Sequence, residues 1–359
     1  MSVVAKRFAK RLLARGLART GCWHAVLRAW ARRETSVVLT YHRVLEKWDP
    51  TLDYSQPGMV VTVPTFERQL AFLHRHFEIV ALGALLNGEG SRRVASRPRC
   101  VITFDDGWRD NYDLALPILR RRGIPATIFL TTDFIGTERA FWHTVLISLL
   151  LLDELRPFLQ GGVPFGGYPA AVREGLRRCA GPTPESHAAA VDDLIETLKA
   201  SCGEDQIHAF VDALADAARL RRPLFPGRRF FLDWEQVREM AAGGFEIGSH
   251  GCSHRIMTRL SLDEVRRELA DSRAEIERRL GRTVTHFAFP NENATEVLLG
   301  LAAGAGYRTA CVGGDAGTSP GIHALRRAGI HEGVCFTGST YDDALLGLAL
   351  LRAPKSRPA

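Results

Sequence analysis

Apolar residues in this chain gather into short runs, separated by longer stretches with a helical repeat. Ser36-Val-Val-Leu-Thr-Tyr-His42 and Arg99-Cys-Val-Ile-Thr-Phe104 are rich in β-formers, and Pro125 to Leu130 is a third such run. Others lie at Phe245–Ser249, Thr285–Phe289, Tyr307–Val312 and Leu325–His331. Runs of this length, bounded by turn residues, predict buried strands. Between them the period changes. Phe66, Leu70 and Leu73 share one face of a helix predicted over Phe66 to Phe77, and Asn111 to Arg122 predicts another, stopped by Gly123. Ser261-Leu-Asp-Glu264 is a capping box opening a long charged helix that Gly281 closes, and Asp233-Trp-Glu-Gln236 opens one more.

Alternating strand and helix signals predict an α/β fold with a parallel sheet, open or closed. Roughly seven or eight strands fit a (β/α)7-8 barrel. Residues 141–230 break the rhythm with Ala, Leu and charge, punctuated by Gly and Pro at 161–169 and 181–184, and read as a helical insertion. The expected organisation is a basic helical arm at 1–34, a barrel at 35–335 carrying that insertion, and a C-terminal helix with a disordered tail at 336–359. The tail is expected from Ala353 onward, where Pro, Lys, Arg and Ser dominate.

Composition narrows the class. Of 359 residues, 46% are hydrophobic and 24% charged, a globular balance that argues against disorder, collagen and coiled coil. No apolar run reaches the length of a spanning helix, and Val145 to Leu152, the longest, contains Ser148. The formal charge of +7 is local: residues 1–33 hold nine Lys or Arg and no acid, which leaves the rest at −2 (+7 less 9). A general nucleic-acid surface is therefore not expected. On a helical wheel Val4, Phe8, Leu12, Trp23, Val26, Leu27 and Trp30 fall in one sector of the arm. Lys6, Arg7, Lys10, Arg11, Arg28 and Arg32 fall largely opposite, and Gly16 and Gly21 divide the helix in two. Two readings follow: a helix pair lying on an anionic membrane surface, or a helix packed on the protein's own body with a solvated basic face. An amphipathic stripe more often faces a core. Arg15 and Arg19 interrupt every candidate signal-peptide core, so a cytoplasmic protein is expected, with peripheral contact at the inner membrane face through residues 1–33 under the first of the two readings. Seven cysteines, none in a Cys-x-x-Cys pair, read as reduced thiols.

The chemistry concentrates after two of the strands. Thr103-Phe-Asp105-Asp106-Gly107 puts adjacent carboxylates at a strand end, where chemistry sits in a β/α barrel. Two such charges are costly there unless a cation compensates one and leaves the other free as a base; otherwise the segment is a solvated turn. Glu246-Ile-Gly-Ser-His250-Gly-Cys-Ser-His254 offers two histidines four apart, suited to one metal ion. The metalloprotease version needs Glu after the first His, and Gly251 stands there. Cys252 is either a third ligand or small buried filler. Asp, His and His with a spare Asp form a facial site with open positions, fit for metal-assisted hydrolysis with a carboxylate base.

In this order and context, Thr-Phe-Asp-Asp-Gly followed by Ser-His-x-x-x-His resembles the polysaccharide deacetylases of carbohydrate esterase family 4, the NodB-homology domain. Tyr41-His42-Arg43-Val44, Phe287-Ala-Phe-Pro290-Asn291 and Leu325-Arg-Arg327 resemble further family motifs, so the likeness runs from about Val37 to His331. The insertion and the basic arm resemble the bacterial exopolysaccharide subgroup. The resemblance implies a distorted barrel, usually holding zinc, that removes acetyl from N-acetyl sugars of a glycan. It assigns Asp105 as general base, Asp106, His250 and His254 as metal ligands, and the Asn291 backbone N–H as an oxyanion donor. Two positions depart from the pattern. Glu292 stands where the family has glycine, and no arginine precedes Pro290, which leaves Arg327 as the candidate for orienting the base. His42 and His331, both at strand ends, are the candidates for general acid; His323, His143 and His286 are less well placed. Trp108, Trp142 and Phe141 are candidate sugar-stacking rings, with core packing the stronger reading for Phe141. Two other functions use the same residues: a glycan-binding barrel without turnover, and an amidase on a non-sugar acetamide or formamide.

Overall fold

The computed structural model of the chain describes residues 12, 14–16, 20, 22–49, 55–86, 97–152, 155, 158–159, 165–180, 184–218, 224–314 and 317–355. They form two compact units. One comprises 1–47, 58–137 and 231–359, and the other 48–57 and 138–230.

The first unit is a closed parallel barrel. Its strands in chain order are β1 (Ser36–Tyr41), β2 (Arg43–Leu45), β3 (Val60–Thr62), β4 (Glu78–Ile79), β5 (Arg99–Phe104), β6 (Thr127–Leu130), β7 (Glu246–Ser249), β8 (His286–Ala288), β9 (Thr309–Val312) and β10 (His323–Gly329). Seven of them, β1 and β5 to β10, run in the spatial order β1-β10-β9-β8-β7-β6-β5, and the ring closes where β1 pairs with β5 from Ser36↔Arg99 to Tyr41↔Phe104. β4 lies outside, against β5, and β2 and β3 pair separately. A barrel strand is covered on both faces, so β1 and β5 are buried at every position and read as continuous apolar runs.

Val38, Val101, Phe129, Ala288, Cys311 and Leu325, one from each of six strands, pack together inside with Leu82 and Leu85 of the short helix Leu82–Leu86. Gly248 of β7 stands where the Phe129 ring leaves no room: a Cβ there would come within 2.5 Å of it. The helix expected at Asn111 to Arg122 opens as a π-turn, Asn111–Ala115, in which Leu116 N donates to the Asn111 carbonyl, before turning α over Leu116–Arg122. Pro117 has no N–H to continue a regular ladder, which accounts for the wide turn. The long charged helix runs Leu262–Leu280, capped by the Ser261–Glu264 box and ended by Gly281 at φ 65°.

The arm's second helix, Cys22–Arg32, buries Trp23, Leu27 and Ala31. Trp23 packs on Phe72 and edge-on to Phe77 at ring distances of 5.8 and 6.4 Å. Trp23 and Leu27 of the apolar stripe thus pack on the protein's own body, as the packed-helix reading expects, while Val26 and Trp30 stay half-buried. Val4, Phe8 and the rest of 1–11 lie outside the described residues. Helix Asp343–Arg352 follows a two-strand ribbon, β11 (Phe336–Thr337) and β12 (Thr340–Tyr341). At the expected start of the tail, Ala353 is buried and Lys355 Nζ sits 4.4 Å from the Trp30 ring centre. Residues 356–359 lie outside the description. Among the described residues no helix is long and apolar enough to cross a membrane.

The second unit is helical, with Trp142–Leu150, Ala170–Arg178, Pro184–Ser201 and Glu204–Ala217 around its own apolar core. Phe141 is buried, as the packing reading of that residue expects, and Trp142 packs partly against that core.

Candidate metal centre and base

β5 delivers Asp105 and Asp106 to the C-terminal rim of the barrel, and β7 delivers His250 and, one turn on, His254. Asp106 (φ 75°) and His254 (φ 62°) both adopt left-handed backbone, as do Asn291 and Glu292 (both φ 57°) after β8. Of the described non-glycine residues, Glu34 alone shares that conformation. Each such residue costs on the order of 1–3 kcal/mol and persists only where its surroundings over-determine it. Four of these five positions therefore mark one rim of the barrel.

The turn from 250 to 254 is held from two sides. Thr132 and Asp133 donate backbone N–H bonds to the carbonyls of Gly251 and Cys252 at 3.1 and 3.0 Å. The Glu268 carboxylate, on the long charged helix, accepts from Cys252 N at 2.6 Å and from Ser253 N at 3.1 Å. Cys252 Sγ points to the Glu268 carbonyl at 3.7 Å and is not among the ligand atoms that Asp106, His250 and His254 bring together, so of its two readings structural filler is the one that fits.

Asp106, His250 and His254 each direct one ligand atom inward, all within 4.8 Å of one another. His250 Nδ1 lies 2.7 Å from the Ala288 carbonyl, which can only accept, so Nδ1 carries the proton and Nε2 faces the cluster. Asp106 Oδ1 is 3.4 Å from His250 Nε2 and 3.2 Å from His254 Nε2. That oxygen is buried and makes no hydrogen bond of acceptable geometry. Its partner Oδ2 accepts the Trp108 indole N–H at 2.7 Å. One orphaned carboxylate oxygen facing two imidazole nitrogens is the donor set of a tetrahedral divalent site, so the residues fit a metal ion.

Asp105 is treated differently. Both its oxygens are forked by Arg327 of β10, at 2.6 Å from Nη1 and 2.5 Å from Nη2. Arg327 is fully buried; its Nη1 also reaches Thr103 Oγ1 at 3.2 Å and its Nε reaches Glu292 Oε1 at 3.1 Å. Burial alone would raise the Asp105 carboxyl, but Arg327 and, behind it, His250 and His42 hold it below its ordinary value. Burial likewise opposes ionisation of Asp106, and the neighbouring imidazoles of His254 and His250 overcome it, placing it well below the usual range. For His250 burial lowers and the two aspartates raise, with the net result upward.

Of the other expected site residues, His42 follows β1 and lies close enough to act electrostatically on both aspartates. His331 lies beyond β10 at the N-cap of the short turn Glu332–Val334, its ring set against Gly333. Asn291 is exposed, and its side chain donates to Asn293 Oδ1 at 2.8 Å. Trp108 is not a sugar platform. It is fully buried, stacked on Phe231 at 4.7 Å and capped by the Arg43 guanidinium at 4.6 Å, and its polar edge serves Asp106. Beneath it Arg43 Nε donates to Asp110 Oδ2 at 2.9 Å, a buried pair that sequence reasoning passed over. The only signal for it was Arg43 within Tyr-His-Arg-Val. The Glu268 brace had no sequence signal at all.

The fold and this rim define a class: a parallel barrel with a two-histidine, one-aspartate cluster and a second, arginine-forked aspartate beside it. The profile of the polysaccharide deacetylase family matches residues 92–310, more than half of the chain, and the chain belongs to that family, whose members are hydrolases of non-peptide C–N bonds. It is 31% identical over 132 residues to the poly-beta-1,6-N-acetyl-D-glucosamine N-deacetylase of Staphylococcus epidermidis, covering 34% of this chain and 45% of that protein. The chain thus spans less than half the length of this curated relative. Among solved structures, the Streptococcus pyogenes deacetylase PplD in complex with acetate superposes with a TM-score of 0.52 at 15% identity, over 89% of this chain and 97% of that one. BC0361, a polysaccharide deacetylase from Bacillus cereus, superposes with a TM-score of 0.51 at 13% identity, over 88% and 69%. At these identities the two structures speak for the fold.

Proposed function

We propose that this chain is a metal-dependent hydrolase that removes acetyl groups from N-acetylated amino sugars of a poly- or oligosaccharide. The observation that carries the reading is the pairing of an orphaned Asp106 oxygen between two imidazoles with an Asp105 locked by Arg327. Asp106, His250 and His254 would hold a divalent ion, for which zinc is the best match, and that ion would polarise the acetamide carbonyl and stabilise its developing negative charge. Asp105, kept ionised near neutrality, takes the proton of the attacking water. Arg327 fixes both Asp105 oxygens, so the base meets that water in one orientation. Trp108 and the Ala288 carbonyl orient Asp106 and His250 from behind. His42 is the candidate for returning a proton to the leaving amine, and the Asn291 backbone N–H for a second oxyanion contact. The glycan substrate rests on family membership, and an N-acetylglucosamine polymer as its kind on the name of the staphylococcal relative.

The test joins metal analysis of the purified protein to acetate release from N-acetylglucosamine oligomers. One divalent ion per chain and steady acetate release are expected. Oligomer binding without release would make the chain a glycan-binding barrel. Release only from small acetamides or formamides would make it an amidase.

A further inference from the structure

Glu292 occupies a position of apparent strain: it and Asn291 are consecutive non-glycine residues in left-handed backbone. Its surroundings hold it there. Glu292 N donates to the Phe289 carbonyl at 2.9 Å, and its own carbonyl accepts from Gly313 N, beyond β9, at 2.8 Å. Its carboxylate takes the one edge of the Arg327 guanidinium, Nε, that Asp105 leaves open. Gly313 supplies the space, since a Cβ there would fall 2.9 Å from Glu292 Cβ and 3.0 Å from Oε2.

We infer that Glu292 is a positioning residue for Arg327, with Gly313 as the clearance it requires, so that base orientation runs Glu292–Arg327–Asp105. The inference rests on the deacetylase reading only for its effect on turnover. The Asp105 fork and the Thr103 contact hold the Nη end of the guanidinium, and neither holds the Nε end, where the side chain joins it. A second carboxylate on the Nε edge holds that end. Glu292 also lies on the loop after β8, so it ties the fork to a different part of the rim from β5 and β10.

The experiment compares wild type with Glu292→Ala, Glu292→Gln and Gly313→Ala. The first readout is the arginine Nε–H signal of Arg327 in 15N NMR, assigned by its loss in Arg327→Lys. The second is kcat and KM for acetate release, with metal content measured alongside. In wild type the Nε–H should exchange slowly. Glu292→Ala should speed that exchange at least tenfold and lower kcat by roughly tenfold, with KM and metal content within about twofold of wild type. Glu292→Gln, which keeps an acceptor of the same reach, should recover most of both. Gly313→Ala leaves the charge in place but takes its space, and should behave like Glu292→Ala. A residue that merely braced the loop would lower the melting temperature and leave exchange and kcat unchanged; that result overturns the inference. A wild type that releases no acetate defeats the deacetylase reading instead, and the exchange rates still decide whether Glu292 holds Arg327.

Discussion

The two ends of the barrel use similar residues for opposite purposes. At the end where the strands begin, Glu246 of β7 and His286 of β8 stand as a carboxylate and a buried imidazole. Glu246 accepts from Gly83 N at 3.0 and 3.2 Å and from Thr127 Oγ1 at 2.9 Å, and His286 Nδ1 meets Thr309 Oγ1 at 2.7 Å. Both carboxylate oxygens there are satisfied, and the cluster joins the helix at Leu82 to β6 and β7. At the end where the strands finish, Asp106 keeps one buried oxygen without an acceptable hydrogen bond, aimed at two imidazoles. A completed network holds a barrel shut, whereas an incomplete one calls for a ligand. The two histidines shift in opposite directions because the same two effects balance differently: burial outweighs Glu246 at His286 and lowers it, while Asp105 and Asp106 outweigh burial at His250 and raise it.

The comparison is broken most decisively at the upper end. His250→Ala or Asp106→Asn should remove stoichiometric metal while the circular dichroism of the barrel persists. Asp105→Asn should keep the metal and lose about 10²–10⁴-fold in kcat, the usual worth of a positioned base. Metal content and acetate release on all three variants check this; metal lost in Asp105→Asn but kept in Asp106→Asn would reverse the roles.

At the lower end Glu246→Ala strands the Gly83 N–H and the Thr127 hydroxyl, and should cost about 1–3 kcal/mol of stability by urea unfolding. Metal content and kcat should not change. A loss of turnover at constant metal would mean that the two ends are coupled.

The smallest effect, and the sharpest discriminator, is the pH response of the metal-free protein. His250, raised above 6.5, lends stability that is complete below pH 6.5 and is lost as pH rises through its elevated value. His286, lowered from 6.5, gives the reverse: stability is complete above pH 6.5 and erodes as pH falls below it through the lowered native value, because the unfolded chain takes a proton that the native site refuses. NMR titration of the two rings should place them on opposite sides of 6.5. Metal binding should release the His250 proton and weaken as pH falls, measurable by calorimetry in two buffers of different ionisation enthalpy.

How much of this was legible in the chain depended on the length scale of each contact. Strands such as β1, β5 and β6 were visible because burial on both faces leaves uninterrupted apolar runs, and the Ser261 and Asp233 caps because a capping box is local. The Asp105-Asp106 and His250-His254 pairs were visible because each sits within a few residues of a strand end. The π-turn at Asn111 was not, since Pro117 reads equally well as an ordinary first-turn proline. Trp108 was misread because exposure is a tertiary property: Phe231, which covers it, is far along the chain. The same holds for Arg327, visible as a candidate, and its tie to Glu292, invisible because nothing in the local sequence couples residues 35 positions apart.

Closure of the ring also sets the order in which the molecule can become active. β1 lies between β5 and β10, paired with Arg99 to Phe104 on one side and with Arg327 to Gly329 on the other. The Asp105–Arg327 fork bridges residues 222 positions apart, across that intervening strand. Such a contact forms only after nearly the whole loop between its ends has been drawn in, and contacts of this separation dominate slow folding. A half-closed barrel would hold Asp105 without its counter-charge, and activity in a refolding experiment should return with the last seam rather than with the helices.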